Sequence, residues 1–235
     1  MLLMSNSSWP SWLNGDPEMA INLAIPGHTF NRVGRCLGII LTVCFLAACA
    51  SRPPQDTGDV CQIFKEKRNW YKATKRSEKT WGTPPEVTMA FIHQESHFNG
   101  KAKPERKKLL GIIPWKRPST AKGYSQALDT TWLNYQNQTG NFFADRNNFS
   151  DAADFIGWYN HQTYKRNRVA KTDAYRLYLA YHEGQGGLER GTYKSKPWLI
   201  DIAKSVNTLS KQYRQQLKGC EKELRPNFLM NLFFG

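Results

Sequence analysis

An uncharged, apolar run from Cys36 to Ala48, preceded by Arg32 and Arg35, divides the 235-residue chain into a leading segment and the part that folds. The run is shorter than the roughly 20 residues a membrane-spanning helix needs, and it ends in the small residues Ala47 and Ala48, the pattern of a signal-peptide core. A lipid-modified terminus, an ordinary secretory signal and a short anchor are all compatible with it, and each places the remainder outside the cytoplasm. Residues 1–31 are long for the leading part of such a signal, and Met19 is an alternative start.

Export also sorts the five cysteines. Cys36 and Cys44 leave with the run and Cys49 is the residue that a lipid-modified terminus would carry lipid on, so Cys61 and Cys220 remain as the thiols of the exported domain. Two thiols in an oxidising compartment predict a disulfide joining the start of the domain to its end; two buried free thiols are the alternative. Residues 1–48 hold two basic residues (Arg32, Arg35) and two acidic ones (Asp16, Glu18), so the net charge of +14 belongs to the exported part. No nucleic-acid partner is expected there; anionic cell-wall polymer or a membrane surface is the available match for a basic domain.

The string Leu46-Ala47-Ala48-Cys49 resembles a lipobox. That resemblance implies cleavage before Cys49, lipidation of its thiol, and attachment to a membrane through the lipid. Ala50 is not the aspartate that retains such lipoproteins at the inner membrane, so a periplasm-facing position at the outer membrane is the expectation.

The domain plan that follows is a signal segment over 1–48, a lipidated flexible tether over 49–58, a mainly α domain over 59–225 and a tail over 226–235. The Pro, Gln, Asp, Thr and Gly of 51–58 suit a tether. Helical periodicity dominates and β-type alternation is scarce. Thr83-Pro84-Pro85-Glu86 predicts a helix start with Thr83 as cap, Pro84 at the first position and Glu86 closing a capping box, the helix running to about His97. Further helices are predicted after Ser150, after Thr172 and from about Pro197, the last with a core stripe of Leu199, Ile202, Val206, Leu209, Tyr213 and Leu217. Residues 100–122, with Lys101, Lys103, Arg106, Lys107, Lys108, Lys116, Arg117 and Lys122, read as a long basic loop: a solvated excursion or a flap over a groove.

On the helix after Thr83, Val87, Phe91, Ile92, Glu95 and Phe98 share one face, so Glu95 projects from the apolar side. Desolvation there raises a carboxyl's pKa, and the negative helix end adds to it. A carboxyl kept protonated near neutral pH suits a general acid; a rim carboxylate paired with a nearby cation is the alternative. His93 and His161 have no Asp, Glu or Cys partners at metal-ligand spacing, and neither a metal nor a cofactor is predicted.

Three segments stand in a telling order: Glu95-Ser96; Gly123-Tyr124-Ser125-Gln126 leading into Ala127-Leu128-Asp129-Thr130-Thr131-Trp132; and Ala180-Tyr181-His182-Glu183-Gly184. They resemble the Glu-Ser, Gly-Leu-Met-Gln and Ala-Tyr-Asn-Ala-Gly signatures of family 1 lytic transglycosylases, over roughly Trp81 to Tyr213. The resemblance implies a lysozyme-like helical fold, peptidoglycan glycan strands as substrate, Glu95 as the catalytic residue, and a groove lined by Ser96, Tyr124, Ser125, Gln126, Tyr181, His182 and Glu183. This chain departs from the pattern at Tyr124-Ser125, where an apolar contact with the sugar's N-acetyl group is altered, and at His182-Glu183, in place of Asn-Ala.

Hydrolytic glycosidases use two carboxylates, and only Glu95 has a family-matched position. The implied reaction is therefore non-hydrolytic, with the muramic 6-hydroxyl closing a 1,6-anhydro ring. Two rival readings stay open: a muramidase using Glu183 as second carboxylate, and a non-catalytic glycan-binding scaffold of a cell-wall or secretion complex.

Overall fold

The computed structural model describes residues 52–105, 108, 109, 113, 114 and 118–225. The expected signal segment, the lipidation at Cys49 and the 226–235 tail lie outside them. The chain is mainly helical: α1 (Val60–Glu66), α2 (Arg68–Trp81), α3 (Pro85–Ser96), α4 (Asp129–Thr139), α5 (Phe149–Asn167), α6 (Ala174–Arg190), a 3-10 turn (Thr192–Ser195) and α7 (Pro197–Leu224). Inside the basic segment read as a loop, β1 (Lys108–Leu109) pairs antiparallel with β2 (Ile113–Pro114), Leu109 opposite Ile113.

Side chains start three of these helices. Asp59 accepts from the Cys61 and Gln62 amides, Asn148 from those of Ser150 and Asp151, and Asp173 from that of Arg176, each satisfying amides that the first turn leaves unpaired. The predicted capping box at Thr83 does not form. Pro84 is the cap and Pro85 the first helical residue, without any side-chain cap bond. Glu86 reaches out to Arg214 on α7 instead, at 2.8 Å.

α3 is buried nearly all round from Pro85 to Ile92, as a helix through the middle of a core must be. The one-sided apolar stripe read from the sequence is therefore too narrow a description. α2, α5, α6 and α7 surround it, and α7 buries Leu199, Val206, Tyr213 and Leu217 of the predicted stripe. Asp154 on α5 accepts from Trp81 Nε1 and from the Tyr135 hydroxyl, both at 2.8 Å, tying α2 and α4 to α5. Cys61 and Cys220 form a disulfide between α1 and α7.

The last part of the expected tether is bound to the domain. The Tyr213 hydroxyl donates to the Thr57 carbonyl, Gln212 and Gln216 donate to that of Gly58 at 2.9 and 3.0 Å, and the Gln55 amide donates to Glu66. Residues 55–58 are thus held on the body by α1 and α7.

Candidate active site

Three segments meet at the C-terminal end of α3: its own last turn, the Gly123–Gln126 turn and the middle of α6. Glu95 stands in that last turn, and its Oε1 accepts a 2.8 Å hydrogen bond from the Tyr178 hydroxyl. As a residue Glu95 is half-buried. Burial raises its carboxyl from 4.5 to about 7, against the pull of the Tyr178 bond. Desolvation rather than the helix end is the main force on this group.

Tyr178 of α6 lies outside the three motifs, and nothing in them singles it out. It lies three positions before Tyr181, hence on the same face of α6, and that spacing was the available signal. Phe91 packs edge-on to both rings at 5.3 Å. The Tyr181 hydroxyl is committed to the Ser125 carbonyl at 2.6 Å, so Tyr181 ties α6 to the Gly123–Gln126 turn with its polar end.

The turn itself is held from several sides. Gly123 has φ +78°, and a Cβ there would stand 2.0 Å from the Arg146 carbonyl oxygen, so only glycine fits. The Tyr124 amide donates to that same carbonyl at 3.0 Å. The Gln126 side chain turns back, its Nε2 2.8 Å from the Gly123 carbonyl and 3.1 Å from that of Ala102. Its Oε1 takes no hydrogen bond among the described residues and is the part of Gln126 left for a ligand.

Three residues expected to line the groove are turned inward. Tyr124 is 3% exposed and packs against Trp70 and Phe149, so the aromatic that replaces Leu in the motif fills the core and does not meet a sugar. Ser125 is fully buried. Ser96 is buried with Oγ 2.9 Å from the Tyr124 carbonyl and 3.1 Å from that of Ile92, so its single proton is committed to the backbone. These side chains brace the last turn of α3 against the turn at 123–126. Trp132, at the end of the second motif segment, is likewise core, against Tyr135 and Phe155.

Glu183 is occupied elsewhere. Its carboxylate accepts from Lys196 Nζ at 2.7 and 3.0 Å and from Thr192 Oγ1 at 2.6 Å, and its Oε1 lies 3.0 Å from His182 Nδ1. These bonds, Lys196 first and Thr192 next, hold it down at about 2. The cover is a thin layer of surface side chains, so desolvation is the weaker influence although little of the carboxylate is exposed. Gly184 then breaks α6 with φ 76° and ψ 160°, a conformation confined essentially to glycine. His182 remains exposed beside this network.

A cavity of about 440 Å³ adjoins the second and third motif segments, and neither Glu95 nor Ser96 lines it. Thr130 and Thr131, just after the 123–126 turn, form one wall; Gln185, just after Gly184, forms another, and Trp158, Tyr159 and Arg166 of α5 complete it. Amides and hydroxyls around aromatic rings make a lining suited to a polar, hydroxyl-rich ligand. Comparison with curated proteins finds no match. Residues 37–220 match the transglycosylase SLT domain, a span that takes in the α3 carboxyl, the 123–126 turn and α6, and the chain belongs to that family.

Proposed function

We propose that the chain is a peptidoglycan lytic transglycosylase of the family 1 type, cleaving the bond between N-acetylmuramic acid and N-acetylglucosamine and leaving 1,6-anhydro ends. The observation that carries this reading is Glu95: one carboxyl, raised to about 7 by burial, with a tyrosine hydroxyl as its hydrogen-bond partner. In its protonated form it donates to the glycosidic oxygen as the bond to the muramic C1 breaks. The substrate's own N-acetyl carbonyl stabilises the cationic carbon. The resulting Glu95 carboxylate then takes the proton of the muramic 6-hydroxyl as that oxygen bonds to C1, so the carboxyl is restored and no water is consumed. Tyr178 supports the ionised interval by donating to Oε1, while burial restores the neutral form.

The rival muramidase needs a second working carboxylate, and Glu183 is poorly suited to that task. A base or nucleophile with Lys196, Thr192 and His182 already bonded to it has given up the lone pairs it would use. Mass spectrometry of muropeptides released from purified sacculi tests the choice. Anhydro ends are expected; reducing ends would support hydrolysis, and no release would support a scaffold.

The reading extends to location. The chain acts as a lipoprotein anchored through Cys49, facing the periplasm at the outer membrane, on the strength of the lipobox-like string and Ala50. Since Pro54 is buried and residues 55–58 are bonded to the body, five residues from Cys49 to Pro53 separate lipid from domain, a reach of at most about 18 Å. The enzyme then works on wall close to its membrane. Metabolic fatty-acid labelling should mark the wild-type chain and disappear in Cys49→Ala; undiminished labelling of that variant would end the lipoprotein reading.

A further inference from the structure

α3 and α7 run antiparallel. Glu86 near the start of α3 pairs with Arg214 far along α7, and His93 and Gln94 share a small cleft with Ser205 and Leu209. The first turn of α7 therefore lies at the end of the pair where Glu95 stands. There Trp198 exposes 52% of its surface, although a tryptophan has the largest apolar area to gain by burial. Its ring meets His182 edge-on, with centroids 5.1 Å apart and planes at 77°.

Both rings are held in place. Glu183 draws the His182 Nδ1 proton, and the same carboxylate binds Lys196 and Thr192. Lys196 directly precedes Pro197 and Trp198, so this cluster joins the turn carrying the indole to the stretch of α6 carrying Tyr181 and His182. An ionised Glu183 accepts from Nδ1–H, and in the neutral ring of that tautomer Nε2 is the acceptor atom. The His-Glu pair at 182–183, where the family signature has Asn-Ala, thus fixes an aromatic pair beside Tyr181, whose ring stacks on that of Tyr178, the partner of Glu95.

We infer that Trp198, held against His182, is a saccharide subsite of the Glu95 groove, its indole stacking on the C–H face of an N-acetylated pyranose and His182 Nε2 accepting from a hydroxyl or acetamido N–H at that sugar's edge. The inference rests on the proposed function in taking the ligand to be a β-1,4-linked N-acetylhexosamine strand. The chemistry fits that class: a pyranose offers an apolar face and a polar rim, and the site offers an apolar ring beside a polar one. Trp198 sets how firmly a strand is gripped beyond the bond being cleaved, and the transferred proton stays with Glu95.

The test uses the full chain in detergent solution, with chitohexaose binding by calorimetry and cleavage of sacculi measured for wild type, Trp198→Ala and Trp198→Phe. Trp198→Ala is expected to weaken chitohexaose binding about tenfold, the size of one aromatic contact, and to raise KM for sacculi more than it lowers kcat. Trp198→Phe should recover most of the binding. Because the side chain is exposed, the thermal midpoint should stay within a degree or two of wild type. Wild-type binding by Trp198→Ala overturns the inference even if sacculi are cleaved as proposed. If wild type cleaves no sacculi, the proposed reaction fails, yet loss of chitohexaose binding in Trp198→Ala still supports the subsite.

Discussion

Glu95→Gln is expected to lower release of anhydro-muropeptides by about two to four orders of magnitude while the protein stays folded. Glutamine keeps the volume and still accepts from the Tyr178 hydroxyl, so the contact between α3 and α6 survives. What disappears is the proton. The same substitution carries a signature in stability. In the native state burial lifts this carboxyl to about 7 from 4.5, so the folded protein holds the proton more tightly than the unfolded chain between those values. By linkage, the stability from this group is fully present below about pH 4.5, is lost progressively as pH rises to about 7, and is flat above. The glutamine variant has no such loss. Its thermal midpoint should match wild type near pH 4, gain on it through the window from 4.5 to 7, and keep a constant lead at higher pH. Wild-type kcat/KM should fall on the alkaline side of about 7 as the acid form is depleted. A variant with full activity would remove the mechanism, and a stability difference independent of pH would mean that Glu95 is not held protonated. Glu183→Gln serves as the contrast: it loosens the Lys196 and His182 contacts and should cost less than about tenfold in rate, because that carboxylate transfers no proton. A loss as deep as that of Glu95→Gln would bring back the two-carboxylate enzyme.

The part of this site that could be read from the sequence is the part encoded locally. A carboxylate among Phe91, Ile92 and Phe98, followed by two motifs in order, was enough to single out Glu95. The need for glycine at 123 and 184 was likewise carried by the motifs, although only the structure shows the reasons, a carbonyl 2.0 Å from any added Cβ and a φ of 76°. Side-chain direction was not legible. Ser96, Tyr124 and Ser125 sit in the motifs, yet all three are buried, Ser96 bonded to the Ile92 carbonyl and Tyr124 packed on Trp70 and Phe149, because the turn at 123–126 must be braced on the core before it can present Gln126. Tyr178 was hidden for a different reason. Its partner Glu95 lies 83 residues earlier, and no local pattern reports a contact made when α3 packs against α6. Glu183 reads as a second carboxylate from its place beside the third motif, and its partners Lys196 and Thr192, which come after the break at Gly184, are not legible there. The helix α2 has a readable signal: Trp70, Thr74, Ser77 and Trp81 recur at steps of three and four, but so many lysines and arginines lie between them that the stripe is easily missed. Thr83 shows the reverse error, a good local cap overruled when Glu86 found Arg214 on α7.

Replacing both Cys61 and Cys220 with alanine should lower thermal stability more than any exposed substitution in the domain. The bridge spans a sequence separation of 159 residues and so encloses nearly the whole domain. A loop of that length restricts the unfolded chain by up to about 5 kcal/mol in the chain-entropy account, with removal of native bridges commonly costing about 2–5 kcal/mol. For a domain of this size that corresponds to a fall in midpoint of roughly 5–15 °C. The native contacts around the bridge should persist without it, because the Val60 amide still donates to Gln216 and both Gln212 and Gln216 still hold the Gly58 carbonyl. Glu95 and Tyr178 are placed by α3 and α6, which the bridge does not touch. Activity per folded molecule at 20 °C should therefore match wild type while the midpoint drops. Differential scanning calorimetry with and without reductant, set beside sacculus cleavage, separates the two effects. One result would reassign the bridge. If the midpoint holds and only proteolysis within residues 55–66 increases, the disulfide fastens α1 alone, a seven-residue helix that can detach without unfolding the rest.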